Sequence, residues 1–283
     1  MKRPVFAAAD AAALKARYAG HFAPWPAGRT ANALLVLALG GIALYGLDRL
    51  GFTFERIFLG LDKLGWLFTF MLPPDPGTHA FTFVHALGET LAISFLGTFL
   101  AALVGFPLGF MAARNILPNW IAHFVIRRSL DTLRGIDILV WALIFINVVG
   151  LGPFAGILAL AVNDTGTFGK LFSEAIEASD RKPAEGIRST GGRRLHEIRF
   201  GFLPTVFPVM LSQVLYYFES NTRSATIIGI VGAGGIGLHL AEVIRANEWQ
   251  QVSFLVLMIL ATVAIIDWGS ARLRFAIIGA SRA

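Results

Sequence analysis

Between positions 173 and 200 the chain carries Glu174, Glu177, Asp180, Arg181, Lys182, Glu185, Arg188, Arg193, Arg194, Glu197 and Arg199. That density of charge cannot sit in hydrocarbon. The runs on either side are strongly apolar, so the segment is aqueous and its chemistry is recognition of another surface. Ile176, Ile187, Leu195 and Ile198 add apolar points. The Gly191-Gly192 pair lets two short helices meet at a sharp angle, and Pro204 suits the first turn of the following helix, where its missing N–H costs nothing. The expected object is a compact docking knob. The alternative is a solvated loop that only keeps topology, since charge runs are usually solvated faces.

A second set of residues could meet a small anion. Arg223 follows Glu219 by four positions at the end of an apolar run, so the two share one helical face. Either they neutralise each other, or Arg223 meets a passing anion with its planar fork of donors. His85 and Glu89 stand at the start of another apolar run and either line the mouth of a path or cap it.

Other motifs lose their chemistry on inspection. Gly232, Gly234, Gly235 and Gly237 fit the glycine pattern of a dinucleotide turn, but no βαβ unit surrounds them and no acidic residue follows about 20 positions on. Close backbone packing, or a bend beside a translocation path, explains them better. Gly169-Lys170 lacks the glycine spacing of a phosphate loop. His21, His79, His85, His123, His196 and His239 are scattered, without metal-ligand spacing. No catalytic, cofactor or metal constellation is expected.

The elements that must position these residues are membrane helices. Of 283 residues, 55% are hydrophobic and 15% charged, and the mean hydropathy is +0.66, which places the chain in the membrane class. Without cysteine there is no disulfide or thiolate chemistry. Crossing hydrocarbon takes about 20 residues, and uncharged runs place six spans at about 31–50, 84–113, 132–149, 153–172, 202–223 and 249–270. An outer interfacial segment is expected at 52–76. The glycine-rich stretch 224–248 makes a poor straight helix and is read as broken or re-entrant. With the N-terminus inside, 19 of the 24 Lys and Arg residues fall in cytoplasmic segments, including Arg272 and Arg274, and the other 5 do not. That is the positive-inside asymmetry. Both termini are then cytoplasmic. The first apolar run begins only at Ala31 without a cleavage site after it, and 4–22 is either a helix along the inner surface or a frayed tail.

Glu185-Gly186-Ile187, then three residues to Gly191, then nine to Gly201-Phe202-Leu203-Pro204 resembles the coupling motif of binding-protein-dependent ABC importer permeases, Glu-Ala-Ala, three residues, Gly, nine residues, Ile-x-Leu-Pro. Glu185, Gly191, Leu203 and Pro204 are in register; Gly186-Ile187 and Gly201 depart from it. Arg134-Gly135-Ile136-Asp137, the 149–156 turn, the 169–177 segment and Arg223 to Gly229 with the glycine cluster are similar to phosphonate ABC importer permeases, which more often have proline at the Asp137 position.

That resemblance implies an all-α integral membrane protein of the importer permease type, with a cytoplasmic coupling loop at 173–203, working in the inner membrane. It implies a second copy of the chain, ABC ATPase subunits that bind the ATP and Mg, and an extracytoplasmic binding protein for phosphonate or a related phosphorus oxyanion. Its surroundings are membrane lipid, with no role for nucleic acid. The rival readings are an importer permease for another small solute, such as an amino acid, a membrane-embedded enzyme, and a structural membrane scaffold.

Overall fold

The computed structural model describes residues 27–280 together with the isolated positions 13, 16 and 17. The expected surface segment at 4–22 otherwise lies outside the described residues. Among them the chain is helical throughout, with no strand. Eleven α-helices are named here: α1 (Ala27–Arg49), α2 (Phe54–Phe70), α3 (Ala80–Ala112), α4 (Trp120–Gly135), α5 (Ile138–Val149), α6 (Pro153–Ala178), α7 (Lys182–Ser189), the short α8 (Arg194–His196), α9 (Leu203–Ile228), α10 (Ile236–Arg245) and α11 (Trp249–Ala280). A π-helical stretch, Glu197–Phe202, joins α8 to α9, and another, Gly229–Ala233, follows α9.

The residues divide into two compact units, 1–66 and 67–283. In the first, α1 is apolar around its whole circumference, and Leu34, Leu37, Ile42 and Leu44 are all exposed. A helix of that kind belongs in lipid. The charges Glu55, Arg56, Asp62 and Lys63 interrupt α2, none of whose residues is buried.

The second unit is organised around α6. Gly97, Gly105 and Gly109 of α3 face Leu160, Phe168 and Phe172 of α6. A Cβ at these glycines would come within 2.6, 2.8 and 2.6 Å of those side chains. On its other side α6 presents Gly166 and Gly169 to α4, where a Cβ at Gly166 would lie 2.6 Å from the Leu130 carbonyl oxygen. Small residues let apolar helices approach where lipid supplies no hydrophobic drive, so packing itself holds them. Ala101, Phe168, Phe172, Ile176, Ala184, Phe202, Val206 and Met210 form one buried core that joins this bundle to the knob.

Among the described residues four helices are long and apolar enough to cross a membrane, and a fifth crossing is counted if α4 and α5 are taken together. The remaining expected span corresponds to α6, which carries Asp164, Lys170, Glu174 and Glu177. The straight helix expected at 132–149 is corrected: α4 and α5 meet at 85°. Asp137 causes the break. Its carboxylate accepts from Leu139 N at 2.8 Å and starts a new helix. The boundary expected at 223/224 also moves, because α9 continues unbroken to Ile228. Hydroxyls of Thr222, Ser224 and Thr226 bond carbonyls one turn back and stay within that helix.

Candidate functional site

The charged segment folds as two short helical pieces around Gly191. Helix α6 reaches Ala178, three residues turn the chain, and α7 follows with Glu185 exposed. Gly191 N–H donates to Arg188 O at 3.0 Å and Gly192 N–H to Ile187 O at 3.1 Å. With Gly191 at φ +81° this is a Schellman C-cap, which only a residue tolerant of positive φ closes without strain. Glu185, Gly186 and Gly191 all stand on the exposed side. Leu195 is 77% exposed. Ile176, expected as a surface point, is fully buried in the core instead, because α6 runs past it, while Ile187 and Ile198 are half-buried.

Gly201 sits where α7 presses against the π-helical stretch. A Cβ there would stand 2.7 Å from Ala184 Cα, and Ala184 itself is 5% exposed. The departure from isoleucine at this position therefore has a local cause: α7 occupies the space. Leu203 and Pro204 open α9, with proline in its first turn. An ion pair of 3.4 Å between Arg188 and Glu197 crosses the same junction.

Polar contacts fasten the knob to the bundle. Glu177, near the end of α6, accepts from Arg114 N at 2.8 Å and pairs with Arg127 Nη2 at 2.9 Å. Asn115 Nδ2 donates to Ile176 O at 2.9 Å, and Arg194 donates to the carbonyls of Asn115 and Ile116. Arg114 Nε donates to His123 Nε2 at 3.0 Å, which requires a neutral imidazole. Burial, and then the Arg127 and Arg114 charges, hold His123 below its ordinary value of 6.5.

Of the path candidates, Glu89 reaches the glycine segment. Glu89 accepts from Gly235 N at 3.3 Å and Thr90 Oγ1 from Ile236 N at 2.8 Å, so α3 caps the start of α10. His85 lies 3.5 Å from Glu89. Gly232, Gly234 and Gly235 all have positive φ. Gly152 N–H donates to Gly232 O at 3.0 Å, Gly234 lies against Pro153, and a Cβ on Gly237 would lie 1.9 Å from Thr226 O. These glycines allow the ends of α3, α6, α9 and α10 to meet.

Glu219 pairs with Arg223 at 3.5 Å, as its spacing predicts, and also with Arg274 of α11 at 3.2 Å. Charge bias alone assigns Arg274 to a cytoplasmic tail apart from Arg223. That separation is corrected, because α11 runs to Ala280 and brings Arg274 alongside α9.

The family model for the binding-protein-dependent transport system inner membrane component matches residues 105–277, which hold the knob, the glycine segment and the Glu219 cluster. The chain belongs to that family. Among its relatives is HtxC of Stutzerimonas stutzeri, provisionally named a phosphite transport system permease protein, 38% identical over 89% of this chain and 88% of HtxC. The phosphate-import permease protein PhnE of Mycolicibacterium smegmatis is 36% identical over 72% of this chain and 38% of its own length. A solved inward-facing MetNI methionine ABC transporter chain shares the fold, with a TM-score of 0.63 and 19% identity over 70% of this chain and 97% of that one.

Sequence reading missed a buried polar junction within this permease. Asn221 Nδ2 of α9 donates to Thr98 Oγ1 of α3 at 2.9 Å and to Asp164 of α6, and Asn163 Nδ2 reaches Asp164 Oδ1 at 3.1 Å. Thr98, Asp164 and Asn221 are separated by 57 residues or more, beyond any local spacing rule. An aspartate inside an otherwise apolar run was the available signal.

Proposed function

We propose that this permease is the membrane subunit of an ATP-driven importer for phosphonate or a related phosphorus oxyanion. The observation that carries the reading is the knob: exposed Glu185 on α7, with Ala184 of the same helix locked against Gly201 in the stretch that becomes α9 and sharing one buried core with Ile176 near the end of α6. A push on α7 reaches both helices without a flexible joint. ABC ATPase subunits bind ATP and Mg, close on hydrolysable nucleotide, and move the knob. Rigid helices carry that motion into alternating access. The chain itself is no enzyme.

A second copy of the chain completes the path, both termini lie in the cytoplasm, and an extracytoplasmic binding protein delivers the substrate. Relatives named for phosphite and phosphate transport support the phosphorus class over an amino acid. Deletion of the chain from its host tests this. Growth on phosphite, a simple phosphonate or limiting phosphate as sole phosphorus source is lost and returns with the wild-type chain. Unchanged growth on all three, with lower amino-acid uptake, contradicts the substrate class.

A further inference from the structure

Glu219 is 7% exposed and carries two guanidinium partners. One carboxylate cannot neutralise two arginines, so the cluster holds a net +1 between α9 and α11. The two partners are not equivalent. Arg274 Nη1 stands 3.2 Å from Oε2, with its side chain 23% exposed. Arg223 reaches Oε1 only at 3.5 Å, and its side chain is 49% exposed. Among the described residues this long contact is its one hydrogen bond, so most of its five donors are unused.

Among the described residues Arg223 has no ion-pair partner besides Glu219. Tyr216, Ile227 and Trp268, near it in sequence or on the partner helix, are themselves exposed and apolar or aromatic. In a membrane-spanning helix a guanidinium cannot be left to hydrocarbon; it faces protein or a wet cavity. Gln213, Tyr216, Ser220 and Arg223 follow each other at spacings of three, four and three, which makes one stripe of α9. Ser212 Oγ and Gln213 Oε1 are buried without a partner among the described residues. They line a groove with Thr205, Pro208, Val209 and Tyr216. The polar stripe leads from that groove to Arg223, two turns beyond Tyr216 on the same helix.

We propose that Arg223 is an anion station in which Glu219 is the resident counter-ion, and that Arg274 keeps the station charged by holding the Glu219 carboxylate from the α11 side. A tetrahedral phosphorus oxyanion displaces Glu219 from Arg223 and takes the guanidinium fork; on its departure Glu219 returns. Arg274 is a positioning residue, which never touches the anion. The proposal rests on the transport reading above and adds to it where, and against which internal competitor, the anion binds.

The test uses the purified, assembled complex of this chain with its ATPase. Phenylglyoxal modification of individual arginines is followed by mass spectrometry in inorganic phosphate, in phosphite and in chloride of equal ionic strength. Phosphate or phosphite slows modification of Arg223 about tenfold, the worth of one charge-assisted hydrogen bond, and chloride does not. Exposed Arg272, stacked over Trp268 at 4.4 Å, reacts at one rate throughout. Arg274→Gln leaves a neutral Glu219–Arg223 pair and abolishes the protection, and Arg274→Lys restores part of it. Glu219→Gln removes the competitor, so protection appears at about tenfold lower anion concentration.

Protection that persists in Arg274→Gln, an Arg223 that never reacts, or equal protection by chloride overturns the station. Wild-type uptake separates the two readings. Normal phosphite or phosphonate uptake without anion protection of Arg223 removes the station alone, whereas protection without any such uptake removes the transport reading alone.

Discussion

Gly201 and Ala184 meet so closely that a methyl on Gly201 would stand 2.7 Å from Ala184 Cα. This contact joins the exposed helix α7 to the stretch that turns into α9. Replacing Gly201 with isoleucine, the residue at this place in the importer motif it resembles, forces α7 outward, since backbone on the far side cannot yield. Overpacking of this kind costs about 1–3 kcal/mol. Gly201→Ile therefore lowers the thermal midpoint of the detergent-solubilised chain and speeds hydrogen exchange in 182–189. Unchanged exchange there would show that α7 is held by other contacts.

Gly186 is the opposite case. It lies inside α7 with nothing within 4 Å of the position a Cβ would take, and its φ is not in the positive region. Gly186→Ala stabilises α7 by about 0.5–1 kcal/mol through helix propensity and a less flexible unfolded chain. Exchange in 182–189 slows. A faster exchange would mean that the glycine is needed for close approach of a neighbour.

Glu89 and Thr90 hold the start of α10. Glu89→Ala uncaps Gly235 N and costs about 1 kcal/mol, seen as faster exchange confined to 235–240, while Glu89→Gln retains most of the protection. Equal exchange in all three proteins would assign the cap to Thr90 alone.

Neutral His123 makes stability depend on pH. Its folded value lies below 6.5, so the unfolded chain binds the proton more tightly, and stability is complete above 6.5 and declines as pH falls through the folded value. His123→Gln keeps an acceptor for Arg114 and flattens that decline. A wild-type midpoint constant from pH 7.5 to 5.5 would place the proton uptake elsewhere.

How far the sequence alone reaches depends on whether a feature is local. Gly191-Gly192 and Pro204 announce the knob and the start of α9, because a cap and a first turn are decided within a few residues. Glu219 and Arg223 declare their pairing through a four-residue spacing. Arg274 does not, since 55 residues of chain, a kinked turn and a further helix separate it from Glu219. The break before α5 is hidden for a different reason: a span drawn over 132–149 takes in Asp137, whereas its capping bond to Leu139 starts a second helix at 85°. The Asp164–Asn221–Thr98 junction joins three helices, and only their packing brings it together.

The most direct measurement of the central claim is isolation of the chain from its native membrane in mild detergent, comparing wild type with Glu185→Arg, and identification of the proteins that accompany each. Among the described residues Glu185, exposed on α7, has no side-chain hydrogen bond or ion pair, so reversing its charge costs at most the about 0.3–1 kcal/mol of its place in the first helical turn and the fold is kept. An ABC ATPase that accompanies the wild-type chain and is lost from Glu185→Arg is the predicted result. An ATPase retained equally by both, or absent from both while the chain stays folded, contradicts docking through this knob.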